Sequence, residues 1–373
     1  MAAVEAFGAQ WRADSGEVPP DRTTGTSRTC STKSHGAARL WLWATVVITA
    51  GAFGATIGVA PPSSAPPARG LAWLLFLGSS VHVASTAWLY TLPEVHSYSL
   101  QRPIRYVWIP IGLVLTAAAT AAALPPAAMT WLLLPYFAWQ FLHFQKQNLG
   151  IAALAASSVG VTSLRRTERR ALVVAGGAGI VGLMAHPALL QLGVQTGAGG
   201  LFIVGALLFV GAVGYGLVSL VRRPSHERPA GFCAIYLLSL LFSLPIFIFR
   251  SPYAAVGGMT IAHGFQYLLL VGLVAAGSRR GRTRVLRIAL FCNVALLGGV
   301  VLGGASHLHG SAPPVRLLFG AYLGAVMAHF VIDAGFWRLR DPFPRQFLAR
   351  HLPYLVPRVT ALSTADGSSA DIR

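Results

Sequence analysis

From Leu40 onward the chain is a train of apolar segments, each close to the ~20 residues that a helix needs to cross a bilayer, with arginine-rich stretches between them. This feature predicts an all-α, polytopic transmembrane helix bundle. The apolar stretches fall at about 40–60, 71–91, 104–124, 130–153, 171–192, 199–221, 231–249, 254–276, 285–304 and 315–337, about ten spans in all. Glycine and proline inside them, such as Gly176-Gly177, Pro245 and Gly257-Gly258, are tolerated in membrane helices and allow close helix contacts.

Composition excludes the other classes. Only 11% of the 373 residues are charged and 54% are hydrophobic, whereas a soluble domain carries about 25% charged residues and a disordered chain is poor in apolar ones. The net charge of +18 would fit a nucleic-acid binder, but such proteins gather charge on one wet face instead of spreading it between apolar runs. No nucleic-acid partner is expected. Cys30, Cys233 and Cys292 are odd in number and lack a C-x-x-C spacing, so neither a disulfide framework nor a zinc knuckle is read from them.

The basic residues orient the bundle. Arg165, Arg166, Arg169 and Arg170 follow the fourth segment, Arg222, Arg223 and Arg228 the sixth, and Arg279, Arg280, Arg282, Arg284 and Arg287 the eighth. Arg338, Arg340, Arg345, Arg350 and Arg358 follow the tenth, while the alternate loops hold only Arg69, Arg250 and Arg316. By the positive-inside rule both termini are cytoplasmic, and the positive loops face anionic headgroups of the bilayer. Residues 1–39 are polar, with no apolar h-region, and read as a disordered cytoplasmic extension. Residues 40–338 form the transmembrane domain. The basic tail, 339–373, alternates arginine with Phe343, Phe347, Leu348 and Leu352, which predicts an interfacial segment followed by disorder.

Four of the eleven histidines fall well inside apolar segments: His82, His143, His263 and His329. All four lie on even-numbered segments running in one direction, at roughly 14–20 Å depth for a 1.5 Å rise per residue. Ionisable side chains at that depth mark function by default. Each has polar companions three or four residues on, sharing its helical face. They are Ser85 and Thr86, then Lys146 and Gln147, then Gln266 and Tyr267, and finally Asp333, the only carboxylate inside any segment. Gln140, His143 and Gln147 form one polar stripe, and HF-x-x-Q at 143–147 parallels HF-x-x-D at 329–333. Metal-bound imidazoles give their second nitrogen to a polar neighbour, so the expected ligands are His82, His143, His263, His329 and Asp333, supported by Gln147, Gln266, Tyr267 and Thr86. Imidazoles with one carboxylate suit iron, copper or zinc, and mononuclear non-haem iron fits this donor count best. Haem clamped by pairs of histidines is the alternative cofactor.

On these four histidines the chain resembles the bacteriorhodopsin-related-protein type of membrane β-carotene dioxygenase. The resemblance implies iron held by intramembrane histidines and oxidation or cleavage of a lipophilic small molecule. The whole chain also resembles uncharacterised actinobacterial polytopic integral membrane proteins, sharing their bias to arginine, alanine and glycine, which implies a bacterial plasma membrane. Three other readings stay open: a proton- or solute-coupled transporter or channel using the same residues as a relay, a haem-binding membrane protein, and a scaffold whose polar residues only join helices.

Overall fold

A computed structural model describes residues 27–62, 65–277, 281–310 and 312–356. Among these the regular structure is helical, with no strand. The helices are α1 (Ser27–Val59), α2 (Arg69–Leu89), α3 (Pro93–Leu100), α4 (Ile104–Ala123), α5 (Pro126–Ser158), α6 (Arg166–Ala185), α7 (Gly199–Val221), α8 (Ala230–Leu240), α9 (Leu244–Ile248), α10 (Tyr253–Ala276), α11 (Arg282–Ser306), α12 (Pro313–Phe336) and α13 (Pro342–His351).

Seven of them, α1, α2, α4, α7, α10, α11 and α12, are long and apolar enough to cross a membrane. Their outward faces are apolar too: Leu201, Val204, Leu207 and Val210 on α7 and Leu286, Leu297, Val300 and Val301 on α11 are exposed. Contiguous exposed apolar surface of this kind belongs against lipid. The remaining three apolar segments of the sequence differ in form. The fourth is the middle of α5, a 33-residue helix that carries Gln145, Lys146, Gln147 and Asn148. The fifth stops at Ala185, because His186, the C-cap residue of α6, precedes Pro187, and a residue before proline is driven out of the α region. The seventh is broken into α8 and α9 by Leu241–Ser243, just before Pro245.

Both flanking segments depart from the expected disorder or interfacial placement. Residues 27–39 are helical, since α1 begins at Ser27; extending a nucleated helix needs far less than starting one. Residues 1–26 lie outside the described residues. In the tail, Phe347, Leu348, Leu352 and Leu355 are buried against Val271, Val274 and Ala275 of α10, and Phe343 stacks on Tyr98 with 3.8 Å between centroids. The apolar residues of the tail therefore close one end of the bundle instead of facing lipid. Residues 357–373 lie outside the described residues.

Close packing sets the helix positions. On α12, Gly320 and Gly324 lie directly on the backbone of α4 at Ala117 and Val114, where a Cβ would overlap main-chain atoms. This small-x-x-x-small spacing brings membrane helices together without a hydrophobic driving force.

One arginine from the orienting set has a structural task. Arg223 is buried and grips Glu168 with two hydrogen bonds, Nε to Oε1 at 2.6 Å and Nη2 to Oε2 at 2.8 Å. It also donates to the carbonyl of Ser163 and to Glu227, and lies 5.0 Å over the ring of Phe232. Glu168 in turn accepts from the backbone N–H of Arg165, capping α6. The pair ties the loop before α6 to the loop after α7. Removing one member of a buried ion pair strands the other charge. Glu168→Gln is thus expected to lower stability by about 3 kcal/mol, read as a fall in the thermal midpoint in detergent, whereas exposed Arg169→Gln should leave it unchanged.

Candidate metal centre

The four histidines singled out in the apolar segments meet. His82 comes from α2, His143 from α5, His263 from α10 and His329 from α12, and all are buried. Ring centroids are 5.0 Å apart for His82–His263, 4.9 Å for His263–His143, 5.0 Å for His143–His329 and 5.0 Å for His329–His82. Each imidazole has two imidazole neighbours, turned edge to face. The four rings therefore close into a square.

Backbone architecture explains the approach of α2 and α10. The turn before His82, Leu77–Val81, is a π-helical turn, a widening that is frequent at functional sites. Gly78 in that turn lies against Gly264, next to His263. A Cβ on Gly264 would overlap the Gly78 carbonyl, and one on Gly78 would sit 2.7 Å from the Cα of Ile261. Two glycines thus allow the backbones to touch, and the following histidine rings meet. The repeated His-Phe pairs have a use as well. Phe330 stacks on His143 at 4.5 Å and Phe144 stacks on His263 at 4.1 Å, so each phenylalanine holds an imidazole belonging to a neighbouring helix.

The polar companions act across helices, not along them. Ser85 returns its hydroxyl to the carbonyl of His82, 2.6 Å away, and Lys146 points to the exposed face of α5. Thr86 reaches His329 instead of His82, with 2.7 Å between Oγ1 and Nδ1, and meets the Tyr267 hydroxyl at 2.9 Å. The Tyr267 hydroxyl donates to Asp333 Oδ1 at 3.0 Å. Gln147 donates to the carbonyl of His263 at 2.9 Å and to Gln266 Oε1 at 3.1 Å, and Gln266 donates to Thr49. Those two glutamines brace α10 against α5 and α1; neither hydrogen-bonds an imidazole.

Proton counting along the Thr86–Tyr267–Asp333 chain decides the state of His329. Tyr267 has one proton, and it goes to Asp333. The contact between Thr86 and Tyr267 then uses the threonine proton, so the contact between Thr86 and His329 must be made by an Nδ1–H. Neutral His329 is left with its lone pair at Nε2. That atom faces Asp333 Oδ2 at 3.5 Å, and His143 Nε2 faces the same oxygen at 3.9 Å. Both distances exceed a hydrogen bond. They lie somewhat beyond the separation of two ligands on one ion, about 3.0–3.4 Å for ligands 2.1 Å from the metal at octahedral to tetrahedral angles. One nitrogen each from His82, His263 and His329 lie within 4.8 Å of one another, and so do the ligand atoms of His143, His329 and Asp333, two groups of three that share His329. A point equidistant from three atoms so spaced is about 2.8 Å from each, and small shifts close that to the 2.0–2.2 Å of an imidazole or carboxylate bond.

The energetics favour a cation there. His263 Nδ1 and Nε2, His143 Nε2 and His329 Nε2 are buried without a hydrogen-bond partner, while the His82 ring lies against the backbone of Gly78 and Ser79 and the Asp333 carboxyl against the Trp337 indole. Each such group costs on the order of 1–3 kcal/mol, more in hydrocarbon, where no water compensates. Clustering them at one point is unfavourable unless an ion takes up their lone pairs. Each of these two groups of three could hold a metal ion, and Thr86 and Tyr267 orient His329 and Asp333. Thr86→Val frees the Nδ1 of His329 from its anchor; loss of such an orienting partner typically lowers metal affinity 10–100-fold, to be read by competition against a chelator.

The chain matches no protein-family model, no curated protein and no solved structure.

Proposed function

We propose that the chain is a multi-pass membrane oxygenase in which His82, His143, His263, His329 and Asp333 hold one non-haem iron that oxidises or cleaves a lipophilic substrate. The observation that carries this reading is the closed square of imidazoles, two of which, His143 and His329, turn unpartnered Nε2 atoms toward one oxygen of Asp333. Four imidazoles and one carboxylate oxygen suit a borderline transition metal and leave one position of an octahedron for a small molecule. Such an iron supplies one-electron chemistry with dioxygen. A haem is disfavoured, because rings about 5 Å apart surround room for one ion, and a macrocycle clamped between two of them would cut through the other two. The resemblance to membrane carotene dioxygenases points the same way.

The arginine distribution supports ten crossings with both termini cytoplasmic, the bacterial plasma membrane as location, and anionic headgroups against the loops. In this arrangement the site lies within the bilayer, so its substrate arrives through lipid. Nitric oxide tests the open position. Anaerobic protein loaded with ferrous iron is expected to give the half-integer-spin paramagnetic resonance signal of a non-haem iron nitrosyl. Iron-replete protein that gave no adduct would remove the oxygenase reading.

A further inference from the structure

Arg316 is the fourth residue of α12. It is buried, while Pro313, Pro314, Val315, Leu317 and Leu318 around it are exposed. Its neighbours in sequence thus face lipid and the arginine turns inward. Gly320 and Gly324, one and two turns further along the same face, lie on Ala117 and Val114 of α4. In this antiparallel register the guanidinium comes beside the last turn of α4. Its Nε is sealed from solvent without a hydrogen-bond partner, and the side chain makes no hydrogen bond or ion pair to any described residue. The carbonyls that end α4 therefore do not take it up.

Arginine keeps its proton in proteins, and a buried charge without a counter-charge is strongly unfavourable. The chain supplies none at this end. The segments that connect helices where α12 begins, 60–68, 124–125, 186–198, 249–252 and 307–312, contain no Asp or Glu. The described carboxylates are Glu94, Glu168, Glu227, Asp333 and Asp341. Asp333 lies about 25 Å further along the same helix, and the other four lie at the opposite end of the bundle. The counter-charge must come from outside the described chain.

We propose that Arg316 binds the phosphate of an anionic phospholipid. The inference uses the membrane reading of the apolar helices and is independent of the metal centre. Arg316 lies about 4.5 Å along the axis from the start of α12, at headgroup level, and the exposed Val315, Leu317 and Leu318 give the acyl chains a surface. A soluble phosphate has no chains to bury there. Backbone donors do not compete for the anion: Pro313 and Pro314 have no N–H, and those of Val315 and Arg316 go to the Ala312 carbonyl. The guanidinium is the donor set, and its planar fork matches phosphate. A single net negative charge offsets that of Arg316, whereas a choline or ethanolamine headgroup would bring a second cation.

Native mass spectrometry of the full chain, washed free of lipid in detergent and titrated with dioleoylphosphatidylglycerol, tests it. The parent protein is expected to retain one lipid that Arg316→Gln binds about tenfold less tightly, as loss of a hydrogen bond to a charged group does. Arg250→Gln, which removes an exposed arginine at the same end, should bind as the parent does. Without lipid, Arg316→Gln should melt no lower than the parent, since it removes an unpaired charge. Equal lipid binding by the parent and Arg316→Gln, or equal losses in Arg316→Gln and Arg250→Gln, overturns the proposal. So does a lower lipid-free midpoint for Arg316→Gln, which would give the guanidinium a partner inside the protein. Displacement of the lipid by millimolar inorganic phosphate would overturn it as well, assigning the site to a soluble anion.

Discussion

His263→Ala is expected to leave the protein folded and strip it of metal. The ring touches His82 and His143 at 5.0 and 4.9 Å and is clamped by Phe144 at 4.1 Å. Truncation removes one ligand and the brace between two others. A buried imidazole without partners contributes little to the stability of the metal-free bundle, since its two unpaired nitrogens are themselves unfavourable. Metal content should therefore fall below a tenth of the parent value, with helix content unchanged. The same loss of metal holds for alanine at His82, His143 and His329, and at His329 the change also strands the Thr86 hydroxyl. If the histidines only joined helices, the opposite pattern would appear: a lowered thermal midpoint and no change in metal.

Gly264→Val is expected to have an effect of similar size without touching any ligand. The Cβ would overlap the Gly78 carbonyl, and backbone cannot yield as a flexible side chain does. Overpacking of this kind typically costs about 1–3 kcal/mol, occasionally more. Here relief requires α2 and α10 to separate, carrying His82 away from His263. Metal loss together with a lower melting temperature is predicted. Gly214 has open space around it, so Gly214→Val should leave metal binding intact. Retention of full metal by Gly264→Val would mean that the helix contact does not set the ring positions.

Much of the centre was legible in the sequence because apolar context makes polar residues conspicuous. Four histidines at matched depth and a single intramembrane carboxylate stand out against segments that need neither, and the structure brings all five side chains together. The partners of each were less legible. Intrahelical spacing assigns Thr86 to His82 and Gln266 to His263, yet Thr86 reaches His329, Tyr267 reaches Asp333 and Gln147 reaches Gln266. Helical periodicity reports which residues share a face, not which helix that face meets. The Gly78–Gly264 contact is hidden for a related reason: glycine is common throughout these helices, and only the crossing point gives two of them a task. The tail misled because alternating arginine and phenylalanine describes an interfacial helix and a bundle-capping one equally well. Which apolar surface covers Leu348 is decided by α10, not by the tail. Arg223 belonged to a set that orients the chain, and its grip on Glu168 depends on two loops distant in sequence.

The metal-to-protein ratio tests the account most directly. Protein purified in detergent, offered ferrous iron, copper and zinc separately and then freed of loose ions, should retain one transition-metal ion per chain. Retention should be lost on alanine substitution at any of His82, His143, His263 or His329. A parent protein that holds none of these metals, or one that binds a metal equally well in all four variants, would contradict it.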